Sequence, residues 1–443
     1  MGRLFGTDGV RGRYGRDLTD DLAFALGRSA VEVLSRASNG RLRVVVGRDT
    51  RASGEPLERA LVDGITAGGA DAILAGVVPT PAVAFLTTHL GAAAGAVISA
   101  SHNPADDNGI KFFGREGFKL SDELEDEVEA LVRDGGHRIA SNVGTAEELD
   151  NALEAYVDHI AAAADAPLAG LRVVVDCANG AAYRAAPAIL RRVGAEVSTI
   201  FDRPDGSNIN DGCGALHPEV VARAVVERGA DAGLALDGDA DRAMFADAAG
   251  NVIDGDHVLA ACALAMHEAG RLPGAVVVST VMANLGLHEA MGRAGIELVA
   301  TRVGDRYVLE EMLARGAALG GEQSGHVIFR EHATTGDGLL TAVRFLSLAA
   351  KRSASVAELA SGMRRFPQAL VNVEVAHNER LDDDAVIADA IAAAETALGS
   401  SGRVLVRASG TEPLVRVMVE AESEADARRH AEALAAVVRD RLE

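Results

Sequence analysis

One pattern recurs three times along the chain: a β-branched strand, a polar loop, an amphipathic stretch of helix length, a glycine and a second strand. The three first strands cover residues 42–46, 171–175 and 275–278, and the glycines that open the second strands are Gly69, Gly194 and Gly295. Glycine at that place fits the end of a helix, where a positive φ is needed. A β-helix-β unit of this length requires parallel strands and a right-handed crossover. The repeats are too long for a solenoid, so they predict three separate α/β domains.

In each repeat a third strand leads directly into an unusual polar loop. The three loops read SASHNP at 99–104, DGDADR at 237–242 and EQSGH at 322–326. Ligands of open α/β sheets bind at the carboxyl ends of strands, so three equivalent loops predict one shared cleft.

The tail of the chain follows a different pattern. Strands are predicted at 369–375, 404–407 and 415–419, with a helix over 383–398 and a final helix from Ser423. The predicted fold is therefore three related α/β domains, each a mixed sheet built on parallel βαβ units, plus a C-terminal α+β domain, around a central cleft. The expected boundaries are 1–152, 153–254, 255–366 and 367–443.

Charge and cysteine usage exclude several classes of protein. A formal net charge of −22 argues against binding to nucleic acid or to a membrane surface. The three cysteines lack a CxxC pair, so they predict neither a disulfide framework nor a zinc site and suit a reducing compartment. The N-terminal residues show no signal-peptide pattern and no run of 18 apolar residues occurs, so a cytoplasmic location is expected.

The second loop predicts a metal site. Asp237, Asp239 and Asp241 alternate in it, and carboxylates this close repel one another unless cations compensate. Oxygen ligands suit Mg²⁺ better than softer metals. An EF-hand is excluded, because Arg242 stands at its sixth position and Ala248 at its twelfth. The alternative, a solvated charged turn, is weakened by the apolar strand that runs into the loop.

Phosphoryl chemistry commonly gives Mg²⁺ a further oxygen from the phosphate, which directs attention to Ser101. Alone, this serine fits an ordinary Ser/Asn turn after a strand, and no G-x-S-x-G pattern surrounds it. A phosphate on Ser101 would provide an oxygen to the metal, with Arg242 and Arg11 balancing its charge. His102 and Lys111 are candidate proton carriers or charge stabilisers.

Two further stretches carry candidate ligand-binding groups. Arg407, Ser409, Gly410 and Thr411 combine a guanidinium, two hydroxyls and loop N–H groups, which suits a phosphate cradle. An ordinary hairpin turn is the alternative there. The polar side chains of the third loop could contact sugar hydroxyls or an amine, and otherwise form a glycine-rich connection; they are Glu322, Ser324 and His326.

The four loops resemble, in order, the four signature loops of the α-D-phosphohexomutase superfamily. The resemblance covers essentially the whole chain. Within the superfamily the sequence is most similar to the bacterial phosphoglucosamine mutases, on the markers FGTDGVRG at 5–12, VGDRYV at 303–308 and the glutamine at position 323.

The resemblance implies a mechanism and a role for each of these residues. Ser101 would be a phosphoserine, and Mg²⁺ would bind its phosphate together with Asp237, Asp239 and Asp241. The enzyme would convert glucosamine 6-phosphate into glucosamine 1-phosphate through glucosamine 1,6-bisphosphate, which also serves as the activator, for UDP-N-acetylglucosamine synthesis. Glu322 and Ser324 would contact the sugar, and His326 would contact it or assist proton transfer.

Other functions remain open at this point. A phosphomannomutase or phosphoglucomutase would use the same chemistry on another hexose. A Mg²⁺-dependent phosphatase would use an aspartate of the second loop as nucleophile, although D-x-D-x-[T/V] enzymes do not carry aspartate at the position of Asp241. A non-catalytic sugar-phosphate sensor would bind without turnover. Both a monomer and a homodimer are compatible with the sequence.

Overall fold

The computed structural model describes residues 3–6, 8–36, 40–135, 142–409 and 413–443. The fold divides into two compact units. The first comprises Met1–Met282 and Gly295–Gly362, and the second comprises Ala283–Ala294 and Met363–Glu443. Across the described ranges, none of the helices combines the length and the apolar character needed to cross a membrane.

Three sheets of the first unit share one central topology. In each, the first strand of the repeat lies in the middle, the second and third strands pair with it in parallel, and an antiparallel strand returns beside the third. The strands are β1 (Val10–Arg13), β2 (Arg43–Arg48), β3 (Asp71–Val77), β4 (Ala94–Ile98), β5 (Asp107–Gly114), β6 (Ala146–Glu148), β7 (Arg172–Asp176), β8 (Glu196–Ile200), β9 (Ala232–Leu236), β10 (Ala243–Asp247), β11 (Val252–Ile253), β12 (Val276–Thr280), β13 (Glu297–Thr301), β14 (Leu319–Gly321) and β15 (Val327–Phe329). The predicted α/β fold with parallel βαβ units is confirmed.

The central strands are apolar and almost completely buried. Val44, Val45 and Val46 are all buried in β2, and β7 repeats this run. Continuous burial of this kind is typical of parallel strands. The helices of the first unit are α1 (Asp20–Ser35), α2 (Gly54–Ala67), α3 (Thr80–His89), α4 (Asp122–Asp134), α5 (Ala152–Ala161), α6 (Ala185–Arg192), α7 (Pro218–Arg228), α8 (Gly255–Glu268), α10 (Asp305–Arg315), α11 (Gly338–Arg352) and α12 (Val356–Ala360).

The glycines predicted at the helix ends adopt the expected backbone. Gly69, Gly194 and Gly295 have φ values of +92°, +102° and +69°. Each second strand begins two residues after its glycine. A side chain would strain this left-handed backbone, so glycine allows the chain to leave the helix and enter the sheet.

The second unit is an α+β fold around one antiparallel sheet with the order β16–β18–β17. Its elements are α9 (Leu285–Arg293), β16 (Gln368–Glu374), α13 (Ala385–Leu398), β17 (Arg403–Ala408), β18 (Leu414–Glu420) and α14 (Glu424–Leu442). Although α9 lies between β12 and β13 in the sequence, Glu420 accepts hydrogen bonds from Leu285 N–H and the Asn284 amide, which ties the helix to β18.

One helix start in this unit differs slightly from the prediction and another agrees with it. The helix expected from Asp383 begins at Ala385, because Asp384 is the residue whose carboxylate accepts the N–H groups of Val386 and Ile387. The final helix starts at Ser423 as predicted: Ser423 is the cap of α14, and its hydroxyl oxygen accepts the Asp426 N–H. A capping side chain precedes the helix that it starts.

Candidate active site

Three loops at the carboxyl ends of β4, β9 and β14 meet in the first unit. We call them the serine loop (99–106), the carboxylate loop (237–242) and the third loop (322–326). The Ser101 hydroxyl donates to Asp237 Oδ2 at 2.6 Å, which joins the first two loops. Arg242 and His326 form an antiparallel bridge, which joins the second and third. The strand-end positions that the repeats predict therefore lie together.

The carboxylate loop buries three aspartates against one another. Oxygens of Asp237, Asp239 and Asp241 all lie within 4.8 Å of each other, and the three residues are buried. Asp239 Oδ2 accepts the Thr80 hydroxyl at 2.6 Å, and Asp237 Oδ1 accepts the Arg242 N–H at 3.1 Å. Among the described residues, Asp239 Oδ1 and Asp241 Oδ1 have no hydrogen-bond donor. Buried carboxylate oxygens without donors suit a hard divalent cation, so this loop fits a metal site.

The pKa values of the three aspartates shift in different directions. Burial, together with Asp241 and Asp239, raises the pKa of Asp237 well above its usual value, and burial and Asp241 also raise the pKa of Asp239. Burial acts in the same direction on Asp241, but the hydrogen bond from His326 and the charges of Arg242 and Lys111 hold the pKa of Asp241 below its usual value. The charge of two carboxylates is thus disfavoured until a cation compensates it.

Cationic side chains surround the aspartates. Asp8 accepts Arg11 Nη2 at 2.7 Å and lies 2.6 Å from Lys111 Nζ, while Arg242 Nε is 3.8 Å from Asp241. Arg11 Nε and Arg242 Nε are buried and find no acceptor within the described ranges. Guanidinium N–H groups of this kind suit phosphate oxygens, as the sequence predicts for both arginines.

Lys111 and His102 have opposite protonation preferences. Burial lowers the pKa of Lys111, but the charges of Asp8, Asp305 and Asp241 together outweigh it and raise the pKa, so the ammonium stays charged. Burial, Arg242 and Arg11 lower the pKa of His102 to about 4, which leaves this imidazole neutral near pH 7. Its Nδ1 lies 3.3 Å from Ser101 Oγ. Of the two, His102 is therefore the group able to accept a proton, and Lys111 can stabilise negative charge.

The third loop presents two accessible polar groups and one buried group. Glu322 and Ser324 are partly exposed, with Glu322 Oε1 accepting the Gly304 N–H at 3.1 Å. His326 is buried, and its Nδ1 lies 3.4 Å from Asp241. Beside His326 is a cavity of about 170 Å³ whose polar lining includes Lys119, Asp305 and Arg306.

Two observations bear on the charge of His326. Burial lowers its pKa, but Asp241, Asp305 and Glu322 together outweigh this and raise the pKa to about 9, which favours a protonated ring. By contrast, the Gly336 N–H donates to Nε2 at 3.2 Å, and only an unprotonated nitrogen accepts a hydrogen bond. We favour the neutral ring with its proton on Nδ1, since the hydrogen bond fixes the protonation of a specific atom. His326 then orients Asp241.

Several contacts at this site involve residues that the sequence patterns did not single out as site residues. Thr80 and Asn210 come from outside the three loops, and the Asn210 amide donates to the Ser101 carbonyl at 2.9 Å. Asp8 stands within the 5–12 marker and pairs with both Arg11 and Lys111. Gly238 allows the carboxylate loop to approach the serine loop closely, because a Cβ there would lie 2.6 Å from the Ser101 carbonyl oxygen.

The predicted phosphate cradle belongs to the second unit. Arg407 is on β17 and stands directly opposite Arg416 of β18 in the antiparallel register. Burial and Arg416 lower the pKa of Arg407, so the two charges oppose each other. Such a pair suits a bound anion, which makes Arg416 a candidate that the sequence patterns missed. The Ser409 N–H donates to the Leu414 carbonyl, and the predicted Gly410 and Thr411 lie outside the described residues.

Comparisons with known proteins cover the whole chain. Family models described as phosphoglucomutase/phosphomannomutase match it in four parts: alpha/beta/alpha domain I at residues 2–138, domain II at 154–250, domain III at 254–366 and the C-terminal domain at 370–437.

Similar proteins and structures agree with these matches. A phosphoglucosamine mutase of Pelotomaculum thermopropionicum is 55% identical over 96% of both chains, and that of Thermobifida fusca is 55% identical over 100% of this chain and 99% of the relative. A phosphoglucomutase/phosphomannomutase family protein from Burkholderia thailandensis superposes with a TM-score of 0.84, at 28% identity over 99% of this chain and 97% of that one.

A more distant structure shows the same fold. Aspergillus fumigatus N-acetylphosphoglucosamine mutase, solved with GlcNAc-6P and magnesium, gives a TM-score of 0.71 at 18% identity, over 99% of this chain and 95% of that one. At that identity the likeness concerns the fold alone. The near relatives and the four family matches establish that the chain belongs to the phosphoglucomutase/phosphomannomutase family and, within it, to the phosphoglucosamine mutases, enzymes of the isomerase class.

Proposed function

We propose that this protein interconverts glucosamine 6-phosphate and glucosamine 1-phosphate, with Ser101 carrying the phosphoryl group between turnovers. The observation that carries the proposal is the hydrogen bond between the Ser101 hydroxyl and Asp237, inside a buried group of three carboxylates. A buried serine beside clustered carboxylates, and beside guanidinium N–H groups that have no acceptor among the residues the structure describes, has the components of a phosphoryl-transfer site. The relatives named phosphoglucosamine mutase support the amino-sugar substrate.

The proposed reaction has two phosphoryl transfers. In the first, the P–Oγ bond of phospho-Ser101 breaks as a bond forms between phosphorus and O1 of glucosamine 6-phosphate, and the O1 proton passes, by way of a base, to Ser101 Oγ. The product is glucosamine 1,6-bisphosphate, which turns end for end. In the second, the 6-phosphoryl group returns to Ser101 Oγ, the serine proton moves to O6, and glucosamine 1-phosphate departs. The bisphosphate would also recharge any Ser101 that has lost its phosphate.

Asp237, Asp239 and Asp241 would hold Mg²⁺, with one oxygen from phospho-Ser101. When bound, the ion neutralises negative charge on the transferring phosphoryl group. Arg242 and Arg11, with Nε groups that lack acceptors among the described residues, would hold the remaining phosphate oxygens. The phosphoryl group would therefore lie between the metal held by the aspartates and the two arginines, both before and after transfer.

The remaining residues divide into proton handling and substrate binding. His102, with its pKa lowered to about 4 and Nδ1 at 3.3 Å from Ser101 Oγ, would exchange the proton at that oxygen. Lys111, held by Asp8, would stabilise charge. Glu322 and Ser324 would bind sugar hydroxyls or the amine, with His326 behind them holding Asp241 in place.

The non-reacting phosphate would bind to the loop that follows β17. We place Arg407, Ser409, Gly410 and Thr411 there, together with Arg416 opposite Arg407. A phosphate between the two guanidinium groups would remove the repulsion between them. In each orientation of the bisphosphate, one phosphate would react at Ser101 while these residues bind the other.

Intact-mass analysis tests the phosphoserine. We expect a phosphate-sized increment in the wild-type protein and in the control Ser347→Ala, whose serine is buried in α11, but not in Ser101→Ala. Ser101→Ala should also lose mutase activity. Retention of full activity or of the increment in Ser101→Ala would contradict the proposal, and phosphate release without isomerisation would identify a phosphatase instead.

Turnover of three sugar phosphates tests the substrate. We expect glucosamine 6-phosphate to give the highest kcat/KM when it is compared with glucose 6-phosphate and mannose 6-phosphate under the same bisphosphate activation. A preference for either neutral sugar would assign the chain to phosphoglucomutase or phosphomannomutase chemistry and refute the amino-sugar proposal.

A further inference from the structure

We propose that Arg51 is a positioning residue that holds the serine loop in its reactive conformation. The inference deepens the proposed function and rests on Ser101 as the phosphoryl carrier. Arg51 lies just beyond the end of β2 and its side chain is fully buried. None of its hydrogen bonds reaches the carboxylate loop or the third loop, so its effect on the reaction must pass through Ser101.

The guanidinium of Arg51 uses all five of its N–H donors. Nε donates to Asp49 Oδ2 at 2.9 Å, and the four remaining donors point to backbone carbonyls of one short segment. Nη2 reaches the carbonyls of Ser101 and Asn103 at 3.0 and 2.8 Å. Nη1 reaches those of Pro104 and of Asp107, the latter at 2.9 Å. The planar group thus fixes four carbonyls around the turn that carries Ser101.

Asp49 connects the hydrogen bonds of Arg51 to the backbone N–H of Ser101. Its Oδ2 also accepts the Ser99 hydroxyl at 2.6 Å, and its Oδ1 accepts the Arg51 N–H at 2.9 Å. The Ser99 oxygen in turn accepts the Ser101 N–H at 3.0 Å. Both backbone polar groups of Ser101 are therefore held, the carbonyl directly by Arg51 and the N–H through Ser99 and Asp49.

The backbone conformation of Ser101 explains why these hydrogen bonds are needed. Its φ is +52°, in the left-handed region that residues with a Cβ rarely occupy. Such a conformation persists only where the surroundings hold it, and it is common where a reactive group must be aimed. Relaxation of Ser101 would turn its Oγ away from Asp237, to which it now donates at 2.6 Å. The Arg51 network therefore sets the direction in which the phosphoryl carrier points.

Arg51→Lys is the main test, because a lysine keeps the charge but offers at most three donors from a single atom. We expect kcat to fall by about 100-fold, the loss that accompanies a displacement of about 1 Å in reacting groups. KM for glucosamine 6-phosphate should change little, because the sugar-binding groups lie on other loops. Activity is measured at a temperature at which circular dichroism shows every variant folded.

Arg344→Lys is the matched control. Arg344 is also a buried arginine of the first unit, with one carboxylate partner, Asp165, and a carbonyl acceptor, Ala163. Its substitution should lower the unfolding temperature as Arg51→Lys does, yet leave kcat at the wild-type level. Equal losses of kcat in the two variants would show that Arg51 acts only through general stability and would overturn the inference. A raised KM with unchanged kcat in Arg51→Lys would overturn it as well.

Ser99→Ala provides a second route if Arg51→Lys does not fold. It removes the acceptor of the Ser101 N–H and leaves the Arg51 contacts in place, so we expect kcat to fall about tenfold, the effect of one lost hydrogen bond. Ser347→Ala, which also removes a buried hydroxyl, should keep its kcat. Wild-type kcat in Ser99→Ala would refute the network.

The same variants distinguish a failure of the proposed function from a failure of this inference. If Ser101→Ala stays active, the carrier itself is misassigned. If Ser101→Ala is inactive while Arg51→Lys and Ser99→Ala keep full kcat, only the positioning role is wrong.

Discussion

Asp239→Asn should stabilise the protein without metal and destabilise it, relative to the wild type, with metal. The three carboxylates of the carboxylate loop lie within 4.8 Å of each other, and burial and Asp241 raise the pKa of Asp239. At that separation a pair of unit charges repels by about 3 kcal/mol at an effective dielectric constant of 20. Asparagine removes this charge, and its oxygen can still accept the Thr80 hydroxyl.

The net gain must be smaller than the pairwise repulsion. Lys111 and Arg11 lower the pKa of Asp239 and so offset part of the cost of its charge. We therefore expect Asp239→Asn to raise the free energy of unfolding by about 2 kcal/mol in EDTA. Saturating Mg²⁺ at about 100 times its Kd would stabilise the three-carboxylate protein by about 2.7 kcal/mol and the variant by much less. The order of the two stabilities should reverse.

Urea unfolding followed by circular dichroism measures both quantities. All proteins carry Ser101→Ala, so that phosphorylation cannot differ between samples. Asp63→Asn, which removes an exposed carboxylate of α2, is the control and should shift little in either buffer. The reasoning is refuted if Asp239→Asn is no more stable than its parent in EDTA, or if Mg²⁺ stabilises both to the same extent.

Three further outcomes follow from particular contacts. Burial raises the pKa of Asp337 to about 6, against an ordinary value of 3.8. Its contribution to stability is therefore full below about pH 4 and lost as the pH rises through 6. Urea titrations should show the free energy of unfolding of Asp337→Asn rising by about 3 kcal/mol relative to the wild type between those limits. The carboxylate of Asp384 has a lowered pKa, so Asp384→Asn should show the opposite slope. Gly238→Ala should cost about 1–3 kcal/mol and lower kcat, because its Cβ would displace the Ser101 carbonyl; unchanged kcat would contradict this. Glu322→Gln should raise KM about tenfold with an unchanged unfolding midpoint, since one charge-assisted contact to the sugar is lost while the fold is kept; an unchanged KM would exclude the contact.

Much of the architecture could be predicted because it depends on local patterns. Apolar strands, glycines at helix ends and polar strand ends identified the βαβ units and placed Ser101, Asp237 and Glu322 at equivalent positions. Each of these residues follows the third strand of its own sheet, so its position at the carboxyl end of a strand follows from the topology of that sheet.

Contacts made between distant segments could not be predicted in the same way. Thr80 reaches Asp239 from the start of α3, and Asn210 reaches Ser101 from a loop of the second sheet. Neither has a sequence pattern that distinguishes it from an ordinary polar residue. Arg416 was missed because its relation to Arg407 depends on the register of β17 and β18, which strand patterns leave open.

The antiparallel return of β5 beside β4 fixes the length of the serine loop. In that ladder Val97 faces Lys111 and Ile98 faces Ile110, so the loop is anchored at both ends. Side chains alternate between the faces of a sheet, and a slip of one residue moves each to the opposite face. Insertion of a single residue between Ile98 and Asp107 would either bulge the loop or send Lys111 to the other face, away from Asp8. We therefore expect an insertion or deletion in this segment to disturb the site more than a substitution that preserves its residue count.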